Sequence, residues 1–127
     1  MKHLTLLSGA LLGFLGVALG AFGAHALKPM LIETGRVETF ELAVRYQFYH
    51  AFALIATGLV AKALPSPKFT YAGICFLIGV IIFSGSLYVL SLSGITILGA
   101  ITPIGGVFLL IGWAFLFTGI LEKNKAS

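Results

Sequence analysis

Polar side chains concentrate in one short stretch of this otherwise apolar chain, "AVRYQFYHAF" at residues 43–52. The stretch contains Arg45, Tyr46, Gln47, Tyr49 and His50. Histidine and tyrosine in an apolar setting can ligate a metal, relay a proton or bind a polar ligand. They can equally be neutral residues that hydrogen-bond inside a helix bundle. The residue types alone leave both interpretations open.

The composition indicates that lipid, not water, surrounds most of the chain. Of 127 residues, 59% are hydrophobic and 9% are charged, and the mean hydropathy is +1.09. Soluble domains carry about 25% charged residues. We therefore predict an all-α membrane protein forming a single domain over residues 1–127, with four transmembrane helices. The expected spans are about 4–24, 39–61, 69–90 and 97–121.

A short interfacial amphipathic segment is predicted between helices one and two. Within residues 25–38, "KPMLIETG" has Pro29 near a helix start and Gly35 near its end. The first span also resembles a signal peptide, since Ala24-His25-Ala26 fits a cleavage site. Its long apolar run with several glycines favours a retained helix instead.

The basic residues predict an orientation in the membrane. The net charge is +4, and Lys/Arg residues are scattered at helix ends, which fits anionic headgroups and argues against a nucleic-acid partner. Five lysines lie at the N-terminus, the 62–68 turn and the C-terminal tail, against two or three basic residues on the other side. The expectation is a multi-pass protein of the cell (inner) membrane with both termini in the cytoplasm.

Glycine stripes mark the first and fourth spans. Five glycines of the first span fall within roughly 80° of arc on a helix, and three more follow a heptad spacing on the fourth. They are Gly9, Gly13, Gly16, Gly20 and Gly23, then Gly105, Gly112 and Gly119. Small residues allow close helix approach in lipid, so the stripes predict helix–helix or subunit contacts. His25, which directly follows the first span, is a further candidate interface residue. A pore or ligand groove along a stripe is the alternative.

Arg45 and His50 receive different interpretations. Arg45 lies about 9 Å into its span, so its stem reaches the headgroups, and Glu41 one turn earlier is expected to pair with it. A lipid-phosphate or substrate contact is the alternative. His50 lies about 17 Å in, and its helix face points into the bundle. Its expected partners are Ser84, Tyr88 or a backbone carbonyl.

The remaining candidate residues lie on the third and fourth spans. Ser86 belongs with Ser84 and Tyr88 to the polar motif "FSGSLY". Thr102 and Pro103 mark a helix break inside the fourth span, because proline lacks a backbone N–H. We expect a bent helix there, with a broken helix lining a binding site as the alternative.

No metal site is predicted. Asp is absent and Cys75 is the only cysteine. His25 and His50 differ in depth by roughly half the membrane core, which disfavours them as paired haem ligands within one chain. No cofactor is therefore predicted, although haem and quinone stay open.

Several motifs resemble the transmembrane protein 256 family of small multi-pass membrane proteins. These are "GAFGAH", "FELAVRYQFYHAFAL", "FSGSLY", "GAITPIGG" and "IGW", and the resemblance extends from about residue 8 to residue 117. The resemblance implies a bacterial cell-membrane protein and carries over no molecular activity.

Three functional hypotheses follow. The leading one is a non-catalytic, oligomeric scaffold that contacts lipid and assembles with copies of itself or with a larger membrane complex. The second is a small channel, carrier or lipid-binding protein that uses the cluster around His50. The third is a redox protein with a bound cofactor.

Overall fold

The computed structural model describes residues 2–126, which form helices joined by short turns, without a β-strand. The helices are α1 (Lys2–Ala24), α2 (Lys28–Thr34), α3 (Val37–Ala63), α4 (Pro67–Ser93) and α5 (Thr102–Ala126). A 3-10 helix, Thr96–Ala100, precedes α5. The all-helical prediction is confirmed, and the four long helices fall on the four predicted segments.

Three helical stretches are long and apolar enough to cross a membrane: His3–Ala24, Pro67–Ser93 and Thr96–Lys125. Helix α3 matches α4 in length, at 27 residues each, but is not among them. It carries Glu38, Glu41 and Arg45 near its start and Lys62 near its end, with Gln47 and His50 between. Of the four predicted spans, three are therefore candidates by length and composition.

The predicted interfacial segment is the seven-residue helix α2. Pro29 lies in its first turn, where the missing N–H costs no helical hydrogen bond. Gly35 ends it with φ 71°, and its N–H bonds the carbonyls of Leu31 and Ile32. A side chain would be strained at that φ, so the glycine determines where α2 stops.

The long helices form an antiparallel row rather than a closed bundle. Helix α1 packs on α3, α3 on α4, and α4 on α5, while α1 barely touches α4. Helices α1 and α5 thus form the two edges of the row. Their outer faces are highly exposed, as at Phe14 (72%) and Leu110 (71%). In a membrane these faces meet lipid or another protein.

Two contacts define the ends of the row. At one end, which we call the α2 end, the guanidinium of Arg36 lies against Gly94, where α4 stops. At the other end, which we call the terminal end, Lys68 forms an ion pair with Glu122. The turn between α3 and α4 and the C-terminal tail therefore lie together.

The glycine stripes lie at helix–helix contacts within the chain. Between α4 and α5, the rings of Phe69 and Phe76 lie over Gly119 and Gly112, and Gly105 lies against the Phe83 backbone. Successive contacts are seven residues apart on both helices: Gly112 and Gly119 each receive a phenylalanine ring, and Gly105 allows the two backbones to touch. Between α1 and α3, the same role falls to Gly9, Gly16 and Gly23, which meet Ala51, Phe48 and Phe40 respectively.

Two positions in the stripe of α1 differ from the rest. A methyl group at Gly20 would be in ordinary contact with Val44, at 3.5 Å, and one at Gly13 would have nothing within 4 Å. Glycine is therefore required for helix packing at some positions of the stripe, whereas at Gly13 and Gly20 a methyl group would fit.

The chain breaks before Pro103 instead of bending through it. The 3-10 helix ends at Ala100, and α5 begins at Thr102 with Pro103 as its second residue. The predicted break at Thr102 and Pro103 therefore coincides with a change from 3-10 to α-helix rather than with a bend inside one α-helix, because Pro103 supplies no N–H to continue the preceding turn and favours a helix start.

Candidate functional site

Gln47 connects three helices with one side chain. It is 3% exposed, and its Nε2 donates to the carbonyl oxygen of Leu12 on α1 at 2.8 Å. Its Oε1 accepts from the hydroxyl of Tyr88 on α4. Both polar atoms of the Gln47 side chain are therefore hydrogen-bonded in an apolar interior, where an unpaired polar group would cost several kcal/mol.

Two serines of α4 make further links to neighbouring helices. Ser84 Oγ donates to the carbonyl oxygen of Ala43 on α3 at 2.7 Å. Ser86 Oγ and Thr102 Oγ1 are 2.6 Å apart, which joins α4 to the first residue of α5. Thr102 Oγ1 also lies 3.3 Å from the carbonyl oxygen of Leu98, so the break before Pro103 is held by hydrogen bonds.

His50 is 3% exposed, and both of its ring nitrogens are engaged. Nδ1 lies 2.8 Å from the carbonyl oxygen of Tyr46, and Nε2 accepts from Trp113 Nε1 at 3.1 Å. A carbonyl only accepts and an indole N–H only donates, so Nδ1 carries the proton and Nε2 does not. The partners thereby assign a neutral imidazole, since a second ring proton would face the indole N–H.

Aromatic rings surround His50. The rings of Phe76 and Trp113 meet edge to face at 4.9 Å, and Tyr46 stacks on Phe83 at 4.4 Å. A groove of about 360 Å³ runs beside these rings and along the start of α5. We call it the His50 groove. Tyr46 lines it, and the Tyr46 hydroxyl has no hydrogen-bond partner among the described residues.

The expected pairing of His50 with Ser84 or Tyr88 is wrong, while the backbone-carbonyl alternative is right for Nδ1. The antiparallel register of α3 and α4 explains the error. It places Ser84 opposite Ala43, which is seven residues, or about two turns, from His50. Sequence reasoning missed Trp113, because its meeting with His50 depends on how α3 and α5 each pack on α4.

The more exposed members of the candidate set do not join this network. Glu41, Arg45, Tyr49 and His25 are all exposed. The expected Glu41–Arg45 ion pair is wrong, since the two do not come within ion-pair distance among the described residues. Both instead line a second cavity, between α1, α2 and α3. The sequence motif thus divides into an internal half and an outward-facing half.

Within the described residues, no group of three His, Cys, Asp or Glu side chains is placed to hold a metal ion. Ligation of a haem iron by His50 Nε2 would require loss of the Trp113 hydrogen bond. His25 follows the end of α1, whereas His50 lies in the middle of α3 against Trp113.

Trp113 is the sole tryptophan and reports directly on His50. In His50→Leu the indole N–H loses its acceptor, so we expect a blue-shifted fluorescence emission and a stability loss of about 1–2 kcal/mol. His50→Gln retains an acceptor and should emit closer to the wild type. Thr118→Val, also on α5, is the control. An unchanged emission in His50→Leu would contradict the assigned hydrogen bond.

These features define the class of the protein: a helical, multi-pass membrane protein whose buried polar side chains bond to one another or to backbone carbonyls. Among the described residues no buried side-chain nitrogen or oxygen lacks a partner.

The chain belongs to the DUF423 family of proteins of unknown function, whose family model matches residues 19–106. It is 44% identical over 113 residues to the UPF0382 membrane protein SH2409 of Staphylococcus haemolyticus, which covers 89% of this chain and 91% of that protein. It is 36% identical over 126 residues to the UPF0382 inner membrane protein YgdD of Escherichia coli K12, covering 98% and 94%. No solved structure matches the chain.

Proposed function

We propose that this protein is a non-catalytic scaffold of the cell membrane that assembles with copies of itself or within a larger membrane complex. The pairing of Gln47 with Leu12 and Tyr88 carries the proposal. A transport path or catalytic site needs polar groups free to meet a substrate, whereas Gln47, His50, Ser84 and Ser86 hold helices together. The same logic assigns the glycine stripes to packing.

We further propose that α3 is the fourth span. It runs antiparallel to α1, from Phe40 beside Gly23 to Ala51 beside Gly9, and so occupies the same membrane depth as a helix that meets the criteria for a span. Its charged residues lie towards its ends. With four spans both termini share one side, and the lysine-rich terminal end favours the cytoplasm.

We also propose that the chain is related to a second named family. The blocks "AVRYQFYHA" and "TPIGG" support kinship with the transmembrane protein 256 family.

The outer faces of α1 and α5 are the surfaces proposed for assembly. They are the two edges of the helix row and carry large exposed side chains, including Phe14 and Leu110. Each edge helix packs mainly on one long neighbour, α1 on α3 and α5 on α4, so a second copy or another membrane protein can cover its outer face without displacing that contact.

Cysteine cross-linking in native membranes tests the assembly. Cys75→Ser gives a cysteine-free background, because Cys75 is the only cysteine. We expect Phe14→Cys or Leu110→Cys to form disulfide-linked dimers under mild oxidation. Leu109→Cys is the matched control, since Leu109 is 4% exposed beside Leu110 at 71%. Absence of cross-links at both exposed positions, with or without a bifunctional maleimide, would argue against the proposed surfaces.

A second candidate function is binding of a lipid-soluble ligand in the His50 groove. The observation that favours it is the unpartnered hydroxyl of Tyr46, a donor beside an apolar groove. A ligand carbonyl could accept from it, as in a quinone. A stoichiometric quinone or haem co-purifying with wild-type protein and lost from His50→Gln or Tyr46→Phe would select this function over the scaffold.

A further inference from the structure

We propose that the cleft between α1, α2 and α3 binds a phospholipid whose headgroup carries both a phosphate and a primary ammonium, of the phosphatidylethanolamine class. The cleft, which we call the α2 cleft, has a volume of about 260 Å³. Gly20, Gly23, Leu31 and Phe40 are among its apolar lining, and Glu41 and Arg45 supply its charges. The proposal goes beyond the scaffold function and does not depend on the oligomeric state.

The apolar part of the cleft suits an acyl chain. On the α1 side, Gly20 contributes no side chain and Ala24 only a methyl group, while Leu31 and Phe40, 1% and 2% exposed, form the opposite wall. Phe40 lies so close to Gly23 that any side chain there would displace the ring. The Phe40 ring is thereby held in place against Gly23, and the space of the cleft lies between this wall and Gly20.

The charged part of the cleft lacks partners within the protein. Glu41 and Arg45 are exposed, and neither forms a hydrogen bond or an ion pair with the residues that the structure describes. They lie one helical turn apart, with about 5–6 Å between their Cβ atoms. Because they line the same cleft without pairing with each other, they present one negative and one positive group to a third molecule.

The depth of the cleft matches a headgroup. It lies at the α2 end of the row, where α3 begins at Val37 and α2 connects it to α1. Arg45 is about 12 Å along α3 from that start, within reach of the lipid phosphate layer through its long stem. Acyl chains then run towards the membrane centre along the groove left by Gly20.

Charge complementarity selects the headgroup. A guanidinium binds a phosphate through two parallel N–H···O bonds, and a carboxylate accepts from an ammonium. Phosphatidylethanolamine offers both groups, separated by two carbon atoms. Phosphatidylglycerol has no ammonium, so its phosphate would face Glu41 uncompensated. Phosphatidylcholine has no N–H to donate and a bulkier nitrogen, so it loses the Glu41 interaction.

Native mass spectrometry of the full-length protein tests the site. Protein stripped of lipid in detergent is titrated with phosphatidylethanolamine, phosphatidylcholine or phosphatidylglycerol of identical acyl chains. We expect the wild type to bind phosphatidylethanolamine about tenfold more tightly than either other lipid, as the loss of one charge-assisted hydrogen bond predicts. Equal binding of all three lipids would overturn the proposal.

Substitutions of Glu41 and Arg45 test the contribution of each charge to lipid binding. Glu41→Gln should remove the preference for phosphatidylethanolamine over phosphatidylglycerol, while Arg45→Gln should weaken all three lipids about tenfold. Arg45→Lys should retain part of the binding. Glu33→Gln, an exposed carboxylate of α2 outside the cleft lining, is the matched control. An equal effect of Glu33→Gln and Glu41→Gln would show a diffuse charge effect and overturn the site.

A cleft-filling variant tests the acyl-chain part by itself. Ala24 lines the cleft and is exposed, so Ala24→Phe should occupy the space without disturbing buried contacts. We expect it to lower binding of all three lipids while the helical content and thermal unfolding stay at wild-type values. Unchanged lipid binding in folded Ala24→Phe would place the lipid elsewhere and contradict the proposal.

Discussion

Gly105→Ala is expected to destabilise the protein by about 2–3 kcal/mol, although it adds a single methyl group. That methyl would lie 2.5 Å from the backbone nitrogen of Phe83 and 2.8 Å from the carbonyl oxygen of Gly79. Backbone atoms cannot swing aside as a flexible side chain can, so α4 and α5 must separate. Separation would disturb the neighbouring contacts of Gly112 with Phe76 and of Thr102 with Ser86.

The adjacent residue provides a matched control. A methyl at Gly106 would meet only the Phe83 ring, at 3.9 Å, which is an ordinary contact. Gly106→Ala should therefore be neutral or slightly stabilising, because alanine favours a helix over glycine. Gly13→Ala, which faces open space, should behave in the same way. Unfolding in mixed detergent–SDS micelles measures all three, and equal stability of the alanine variants at 105 and 106 would refute the close α4–α5 contact.

Gln47→Ala is expected to cost about 3 kcal/mol. The substitution removes the hydrogen bonds to Leu12 and Tyr88 and leaves a cavity where α1, α3 and α4 meet. The Tyr88 hydroxyl would be left without its acceptor in the protein interior, which adds to the loss. The same micelle unfolding titration gives the free energy.

A double-mutant cycle isolates the Gln47–Tyr88 bond. Tyr88→Phe removes only the hydroxyl, so the cost of Gln47→Ala should fall by about 1–1.7 kcal/mol in the Tyr88→Phe background. Thr57→Val is the control for burial without an interhelical link. Thr57 is 1% exposed, but its hydroxyl bonds only to Ala53 in its own helix. Additive effects of Gln47→Ala and Tyr88→Phe would mean that the two side chains are not coupled.

The sequence predicted those features that depend on local chemistry. Pro29 and Gly35 bracket α2 because their backbone preferences act within one turn. The glycine stripes followed from helical periodicity, and His50 is buried as its helix face indicated. Each of these inferences needed only the geometry of one helix.

The features that the sequence did not predict depend on the register between helices. The bond between His50 and Trp113 joins residues 63 positions apart on helices that meet through α4. Gln47 and Ser84 bond to backbone carbonyls of Leu12 and Ala43, and a carbonyl carries no residue-type signal. Gly13 fits the stripe by angle yet meets no partner, because angle does not fix which residues lie opposite.

The polar residues of α3 thus lie on two different faces of the helix. Gln47 and His50 point inward and hold neighbouring helices, which accounts for polar residues inside an apolar protein. Glu41 and Arg45 are exposed at the α2 end and line the α2 cleft, where we propose that they meet a lipid headgroup. The polar residues at the start and middle of α3 therefore do not form a single site.

Native mass spectrometry of the wild-type protein, released gently from membrane mimetic, tests the scaffold account most directly. It reports the subunit number and any retained mass together. We predict a defined homo-oligomer whose retained mass is phospholipid only, unchanged in His50→Gln and reduced in Arg45→Gln. A stoichiometric quinone or haem that is lost in His50→Gln would contradict the account and make the His50 groove the functional site.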